Sequence, residues 1–468
     1  MILLKDCFYI LTPEGKDDLR GADILIRRNR IERIAYNIDP RETVSNIDPQ
    51  KRSTTEQTFG DKIEVIDCSH MVVVPGFVNT HHHFYQTLSR NLKAVQNAKL
   101  FEWLIYLYEV WKHIDADAVF YSTLVAVGEL LKTGCTCTTD HHYLYPRGFQ
   151  GDLMGIQFDA ASALGIRFSP CRGSMSLSKK DGGLPPDSVV QTEDEILRDS
   201  ERVIETYHED ASTSMRKIIL APCSPFSVTE ELMRETAHLA RSYGVRLHTH
   251  LAETADEDEY CIRIYKKRPL SLMQDLDFVG EDVSYAHGIF FEDAELEVLA
   301  ETGTSVVHCP SSNMRLGSGI ARVKEMLELG INVGLAVDGS ASNDTSDFLG
   351  EMRNALLLQR VRYGANALTA SDVFRIATRN GAKLLGFNGI GRIQEGYLAD
   401  LALFDIDRLE YAGSLSDPPA ALLFAGISHQ TAFTIVNGQV VVREGRLTGY
   451  DEQEIIVKAN EISARLLP

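Results

Sequence analysis

Four segments of the chain put imidazole or carboxylate groups where a short apolar run ends. The first is NTHHHFYQ, in which His81, His82 and His83 follow one another. Side chains on a strand alternate between its faces, so His81 and His83 share one side while His82 takes the other. Two imidazoles on one face at spacing two are half of a metal site. HTHLAET repeats the device with His248 and His250 and adds Glu253, VSYAH ends in His287, and NVGLAVD ends in Asp338. Imidazoles combined with a hard carboxylate suit zinc or iron(II), and three or four protein ligands leave a position for water. Asp338 after six largely apolar residues is costly to bury unpaired, which makes a cation partner physically attractive. Any one of these histidines alone reads more readily as a hydrogen-bonded core residue. The joint occurrence at four strand ends carries the inference, although spacing alone does not decide between His248 and His250.

Eight apolar runs are spaced as parallel strands joined by crossovers: residues 72–81, 135–141, 167–171, 217–224, 246–251, 283–287, 305–309 and 332–338. In ARSYG, LAETG and EMLELG a helix-like segment closes on glycine immediately before a strand, which suits the helix-to-strand turn. Ser227 and Glu230 have capping-box spacing and predict a helix start after the fourth strand. The fold expected is an α/β (β/α)8 TIM barrel over residues 72–387, in which strand C-termini build the site.

The flanks differ in kind. Residues 1–71 and 388–468 contain short, β-rich, turn-punctuated segments such as ADILIRRNRIERIAY and TAFTIVNGQVVVREGRL. Neither flank offers much core alone, so a small β-sandwich built from both chain ends is expected, with a terminal helix from Asp451.

The bulk composition of the 468 residues narrows the function classes. A formal net charge of -19 with no basic run argues against a nucleic-acid or anionic-membrane partner. There is no stretch of 18 apolar residues and no signal-peptide pattern at MILLKDCFYI. The eight cysteines are scattered, several within apolar runs, and read as reduced thiols of a cytoplasmic protein. The chain also lacks a G-x-S-x-G elbow, an H-E-x-x-H helix and a phosphate-binding glycine loop. Zinc deaminases of the cytidine type need P-C-x-x-C, where this chain has PCRGS and PCSPF.

The set PGFVNTHHHFYQ, HTHLAET, AHG, HCPSSNMRLGSGI and VGLAVDGSASND resembles the amidohydrolase superfamily, most of all its branch of mononuclear-metal deaminases acting on aromatic nitrogen heterocycles. The resemblance implies His81, His83, His250 and Asp338 as ligands of one divalent metal ion, zinc or iron(II), with Glu253, His287 and Asp338 as catalytic groups. It sets His248 aside, and it gives no ligand role to His308. Related dinuclear enzymes carry a lysine at the end of the fourth strand; here that end reads APCSPF and Lys217 stands at the strand start, so one metal is expected. His141 and His142 are expected to line the mouth without holding a second ion. Gln86 is the expected contact for the edge of a purine-like ring, and Arg172 for a ring carbonyl. The implied reaction is hydrolytic deamination of a small heterocycle by water, in a homo-oligomer. Guanine, isoxanthopterin, cytosine or a hydroxylated or chlorinated triazine are the alternative substrates. An inactive scaffold barrel is the alternative of another class, and it predicts loss of Glu253, His287 or Asp338, all of which are present.

Overall fold

The computed structural model describes residues 1–12, 19–40, 63–211, 213–426 and 429–467. Its largest sheet has ten parallel segments that curl in the manner of a TIM barrel. They run in the order Arg167–Phe168, Cys135–Thr138, Phe77–Asn79, Val333–Leu335, Ser305–His308, Val283–His287, Arg246–Leu251, Ile219–Pro222, Cys171–Ser174 and His141–His142. Every residue of the strands at 219–222, 283–287, 305–308 and 333–335 is buried, as expected of strands covered on both faces.

Two expected strands are interrupted. The second divides into Cys135–Thr138 and His141–His142, and the third into Arg167–Phe168 and Cys171–Ser174. The third breaks at Ser169 and Pro170, where proline has no N–H to give to a ladder. The second breaks at Asp140, whose buried carboxylate instead accepts from the Phe84 N–H and the Gln157 amide. The run 72–81 is likewise two strands. Met71–Pro75 pairs antiparallel with Leu401–Asp405 in a sheet of the chain ends, and only Phe77–Asn79 enters the parallel sheet. Gly76 makes the break: a Cβ there would lie 2.2 Å from the Thr136 side chain, so only glycine lets the backbone pass.

The chain ends form two sheets. One holds Ile2–Cys7, Ala22–Arg27, Arg30–Ala35 and Glu64–Asp67; the other joins Tyr9–Ile10 and Met71–Pro75 to Leu401–Asp405, Phe433–Val436, Gln439–Arg443 and Arg446–Leu447. Ile24 and Ile26 of the first share one apolar cluster with Val73, Leu401 and Ile435 of the second.

Helices after the strands obey ordinary capping chemistry. The helix Glu230–Tyr243 starts two residues later than the capping-box spacing predicts: Thr229 is its cap and accepts from the Leu232 N–H, whereas the Ser227 hydroxyl pairs with Ser224. Gly244 and Gly303 close their helices in the left-handed region. The terminal helix runs Glu452–Leu466 from an Asp451 cap, and its Ser463 hydroxyl donates to the Leu88 carbonyl. No helix among the described residues is long and apolar enough to cross a membrane.

Candidate metal centre

The strand ends bring His81, His83, His250, His287 and Asp338 together: ligand atoms of His81, His83, His141 and His250 lie within 4.8 Å of one another, as do those of His81, His287 and Asp338. Both His287 and Asp338 take left-handed backbone, at φ 74° and 61°. That conformation is costly for residues with a Cβ, and it turns each side chain sharply off the end of its strand.

The hydrogen bonds around the three imidazoles fix their tautomers. His83 Nδ1–H donates to the His141 carbonyl at 2.8 Å, and His250 Nδ1–H donates to the Cys223 carbonyl at 2.7 Å. His81 Nδ1–H donates to His248 Nε2 at 2.9 Å, while His248 Nδ1–H donates to the Ser284 hydroxyl, which reaches the Leu247 carbonyl. A carbonyl only accepts, so each chain of bonds runs outward and leaves Nε2 of all three rings as a bare lone pair. His81 Nε2 is buried without a hydrogen-bond partner, and His83 Nε2 faces His250 Nε2 at 3.2 Å. Asp338 Oδ1 lies 3.4 Å from both His81 Nε2 and His83 Nε2.

Burial, aided by the neighbouring imidazoles, holds the His83 pKa down to about 3 and that of His250 well below its usual value, so the rings stay neutral. Burial works to raise Asp338, but its histidine neighbours, His81 first and then His287, outweigh it and hold the carboxyl well below its usual range. Three neutral imidazoles and one carboxylate are the donor set of a divalent cation. A tetrahedral ion about 2.0–2.1 Å from each donor separates them by roughly 3.4 Å, which the 3.2 and 3.4 Å spacings match. The residues therefore fit a metal ion. Carbonyl and histidine partners on the far ring nitrogens are the outer support such ligands usually have.

Beside this cluster, His287 Nε2 lies 3.6 Å from Glu253 Oε2. Asn313 Oδ1 accepts from His287 Nδ1–H at 2.9 Å. Burial pushes the Glu253 carboxyl up against the pull of His287. Burial also opposes charge on His287, yet Glu253, Asp338 and Asn313 together raise it. Glu253 is held by its neighbours: Glu257 accepts from the Ala252 and Glu253 backbone N–H groups.

His83, His250, Glu253, His287 and Asp338 line a cavity together with Gln86, and its aromatic lining is Trp103, Tyr108, Tyr143 and Phe226. Gln86 Oε1 accepts from the Ala341 N–H at 3.2 Å, which directs the amide nitrogen as the remaining donor. Arg172 is not among the lining residues. Its guanidinium is fully buried elsewhere, paired with Asp199 at 2.9 Å, bonded to Gln191 and the Gly173 carbonyl, and 4.0 Å over the Tyr145 ring. The expectation that it meets a ring carbonyl is corrected: its donors serve the fold. His142 Nε2 bonds the Leu144 carbonyl and stands outside the cluster, whereas His141 stacks on His250 at 4.8 Å with Nε2 on the Ala221 carbonyl. His308 is buried with neither ring nitrogen partnered.

Sequence reasoning missed Asn313, Glu257 and the helix Leu100–Trp111. Asn313 had a signal in its place three residues past Pro310 in HCPSSN, on a turn leaving the seventh strand. The helix had one in the recurrence of Leu100, Trp103, Leu104 and Tyr108 at helical spacing.

The amidohydrolase family model matches residues 72–441, and the chain belongs to the amidohydrolase family. It is an enzyme of that type, as the resemblance in its motifs implies. It is 46% identical over 401 residues to 8-oxoguanine deaminase of Pseudomonas aeruginosa, covering 86% of this chain and 89% of that protein. It is 36% identical to hydroxydechloroatrazine ethylaminohydrolase of Pseudomonas sp. strain ADP, over 96% and 92% of the two chains. The crystal structure of atrazine chlorohydrolase from Arthrobacter aurescens TC1 complexed with zinc superposes with a TM-score of 0.90 at 28% identity, covering 100% of each chain.

Proposed function

We propose that the chain is a metal-dependent hydrolytic deaminase that releases ammonia from a purine-like ring, with 8-oxoguanine the foremost substrate. The observation that carries this reading is the convergence of three bare imidazole lone pairs and Asp338 beside the His287 and Glu253 pair, next to a cavity with aromatic lining. The 46% identity to 8-oxoguanine deaminase supports the choice of substrate.

In this reading His81, His83, His250 and Asp338 hold one divalent ion, zinc in the first instance and iron(II) as the alternative. The bound ion supplies a water acidic enough to lose its proton near neutral pH. His287, oriented by Asn313, and Asp338 accept that proton as the water attacks the ring carbon bearing the amino group. Glu253, kept protonated more readily by burial, gives its proton to the adjacent ring nitrogen, which keeps it in the lactam product. The proton taken from the water passes to the departing amine, and the hydroxyl left on that carbon reprotonates Glu253 as it becomes a carbonyl and ammonia leaves. Gln86 holds the lactam edge of the ring.

The eight parallel strands are read as a closed barrel. Arg167 pairs with Cys137 and Cys171 with His141, so both ends of the ten-segment order belong to the second and third strands. The barrel then spans about residue 76 to 387, four residues later than the sequence boundary at 72, with the chain ends as a separate β module. Eight buried free thiols fit a reducing cytoplasmic setting.

Ammonia release from 8-oxoguanine, guanine, isoxanthopterin, cytosine and hydroxylated triazines tests the reading. Glu253→Gln is expected to keep the metal and lose 10²-fold or more of kcat. Turnover of a chlorotriazine alone, or near-normal activity of that variant, refutes it.

A further inference from the structure

One face of one helix lines the same cavity as the histidine cluster. In Leu100–Trp111, the side chains of Leu100, Trp103, Leu104 and Tyr108 line the cavity, while Ile105, Tyr106 and Glu109 face outward. Two of these inward residues carry polar atoms. Trp103 is 3% exposed and Tyr108 is 1% exposed, and neither the Trp103 indole nitrogen nor the Tyr108 hydroxyl has a hydrogen-bond partner. Trp111, on the same helix, makes the contrast: its indole N–H donates to the Ser89 hydroxyl at 3.0 Å.

Buried donors without partners are uncommon, because each forfeits the hydrogen bond it had in water. An indole N–H is a donor only, and a phenol hydroxyl donates readily. A ligand that satisfies the Trp103 N–H must present an acceptor, such as an oxo group or a ring-nitrogen lone pair, on the edge facing this helix, and the Tyr108 hydroxyl can donate to the same edge. The amino-bearing carbon must meanwhile reach Glu253 and His287, which line the same cavity. A flat bicyclic ring with its amine on one ring and an oxo group on the other has this shape.

Resting on the deaminase reading of the same site, we propose that Trp103 and Tyr108 are the specificity-determining donors, selecting bicyclic aminoheterocycles that carry an oxo acceptor on the ring remote from the reacting amine. Such a pair acts by exclusion as well as attraction. A ring without the remote acceptor leaves two donors buried and unpaired, which is how polar sites reject near-isosteric analogues.

The test compares 8-oxoguanine with guanine, which lacks the oxo group, on zinc-loaded enzyme. The wild type is expected to favour 8-oxoguanine in kcat/KM by about a hundredfold or more. Trp103→Phe and Tyr108→Phe each lower kcat/KM for 8-oxoguanine by about ten- to hundredfold, mainly through KM. The loss on guanine is smaller by fivefold or more. Equal losses on both rings, or a wild type indifferent between them, overturn the proposal. Zinc content and melting temperature identify a variant that has failed to fold, in which case the other variant and the wild-type ratio decide. If neither ring releases ammonia, the deaminase reading falls. The rise in melting temperature given by each ring in wild type and Tyr108→Phe then decides recognition alone: a preference for 8-oxoguanine lost in the variant upholds it, and equal shifts overturn it.

Discussion

The Nε2 atoms of His83 and His250 face each other at 3.2 Å with no proton to share, because each ring has committed its single N–H to a backbone carbonyl. Two lone pairs at that distance repel, and a cation between them turns the repulsion into attraction. One transition-metal ion per chain is therefore expected to copurify. Chelation should lower the melting temperature by several degrees, and reloading should restore it. Elemental analysis with calorimetry checks both points; a fully stable protein without metal contradicts them.

A close approach beside the cluster makes Gly339 a probe of Gln86. A Cβ built on Gly339 falls 2.0 Å from Gln86 Oε1, so Gly339→Ala pushes the amide off the Ala341 N–H. The displaced atoms are the tip of a flexible side chain, so stability is expected to change by less than about 1 kcal/mol. KM for the heterocycle should rise about tenfold with the metal retained. An unchanged KM would detach Gln86 from substrate binding.

Arg172 gives the opposite pattern. Its side chain is fully buried against Asp199 and the Tyr145 ring, with Asp199 itself about one-quarter exposed. Arg172→Met is expected to cost about 2–3 kcal/mol, at the low end for broken buried pairs because water still reaches Asp199. Chemical denaturation measures this, while kcat/KM of the folded enzyme stays within about threefold. A selective loss of activity at full stability would return Arg172 to the site.

Glu351 offers a pH test. It accepts from the Ser311 N–H at 2.9 Å, from the Ser311 hydroxyl and from Asn343, and burial raises its pKa from 4.5 to about 8. A carboxyl that holds its proton more tightly when folded lowers stability as pH climbs from the unfolded value of 4.5 to about 8, since only the unfolded chain ionises in that window. Above about 8 both states are ionised and the contribution is constant. Glu351→Gln should flatten the decline in melting temperature between pH 5 and 8. Parallel curves for variant and wild type would show that Glu351 is not the source.

The sequence made the parallel strands and the histidine cluster legible because both depend on local regularities. His81 and His83 share a face by strand alternation, and the expected strands at 246–251 and 283–287 coincide with those observed. What escaped depends on distance in the chain. Asn313 supports His287 across 26 residues, and the His81 tautomer is set by His248 across 167. No periodicity announces such partners. Arg172 was misread because the residues that bind it, Asp199 and Gln191, come from a helix and loop whose packing on Cys171–Ser174 is tertiary. The split of 72–81 turned on one methyl-sized clearance at Gly76.

The sheet in which Met71–Pro75 pairs with Leu401–Asp405 bears on how the protein is made. Met71 meets Asp405 in that ladder, so on a ribosome the early strand must wait for roughly 330 further residues. At roughly 5–20 residues per second the delay is tens of seconds. All the strands of the parallel sheet are translated within that interval. During biosynthesis the parallel sheet is thus free to assemble first, and an unpaired, aggregation-prone edge rich in valine waits until Leu401–Asp405 has been translated.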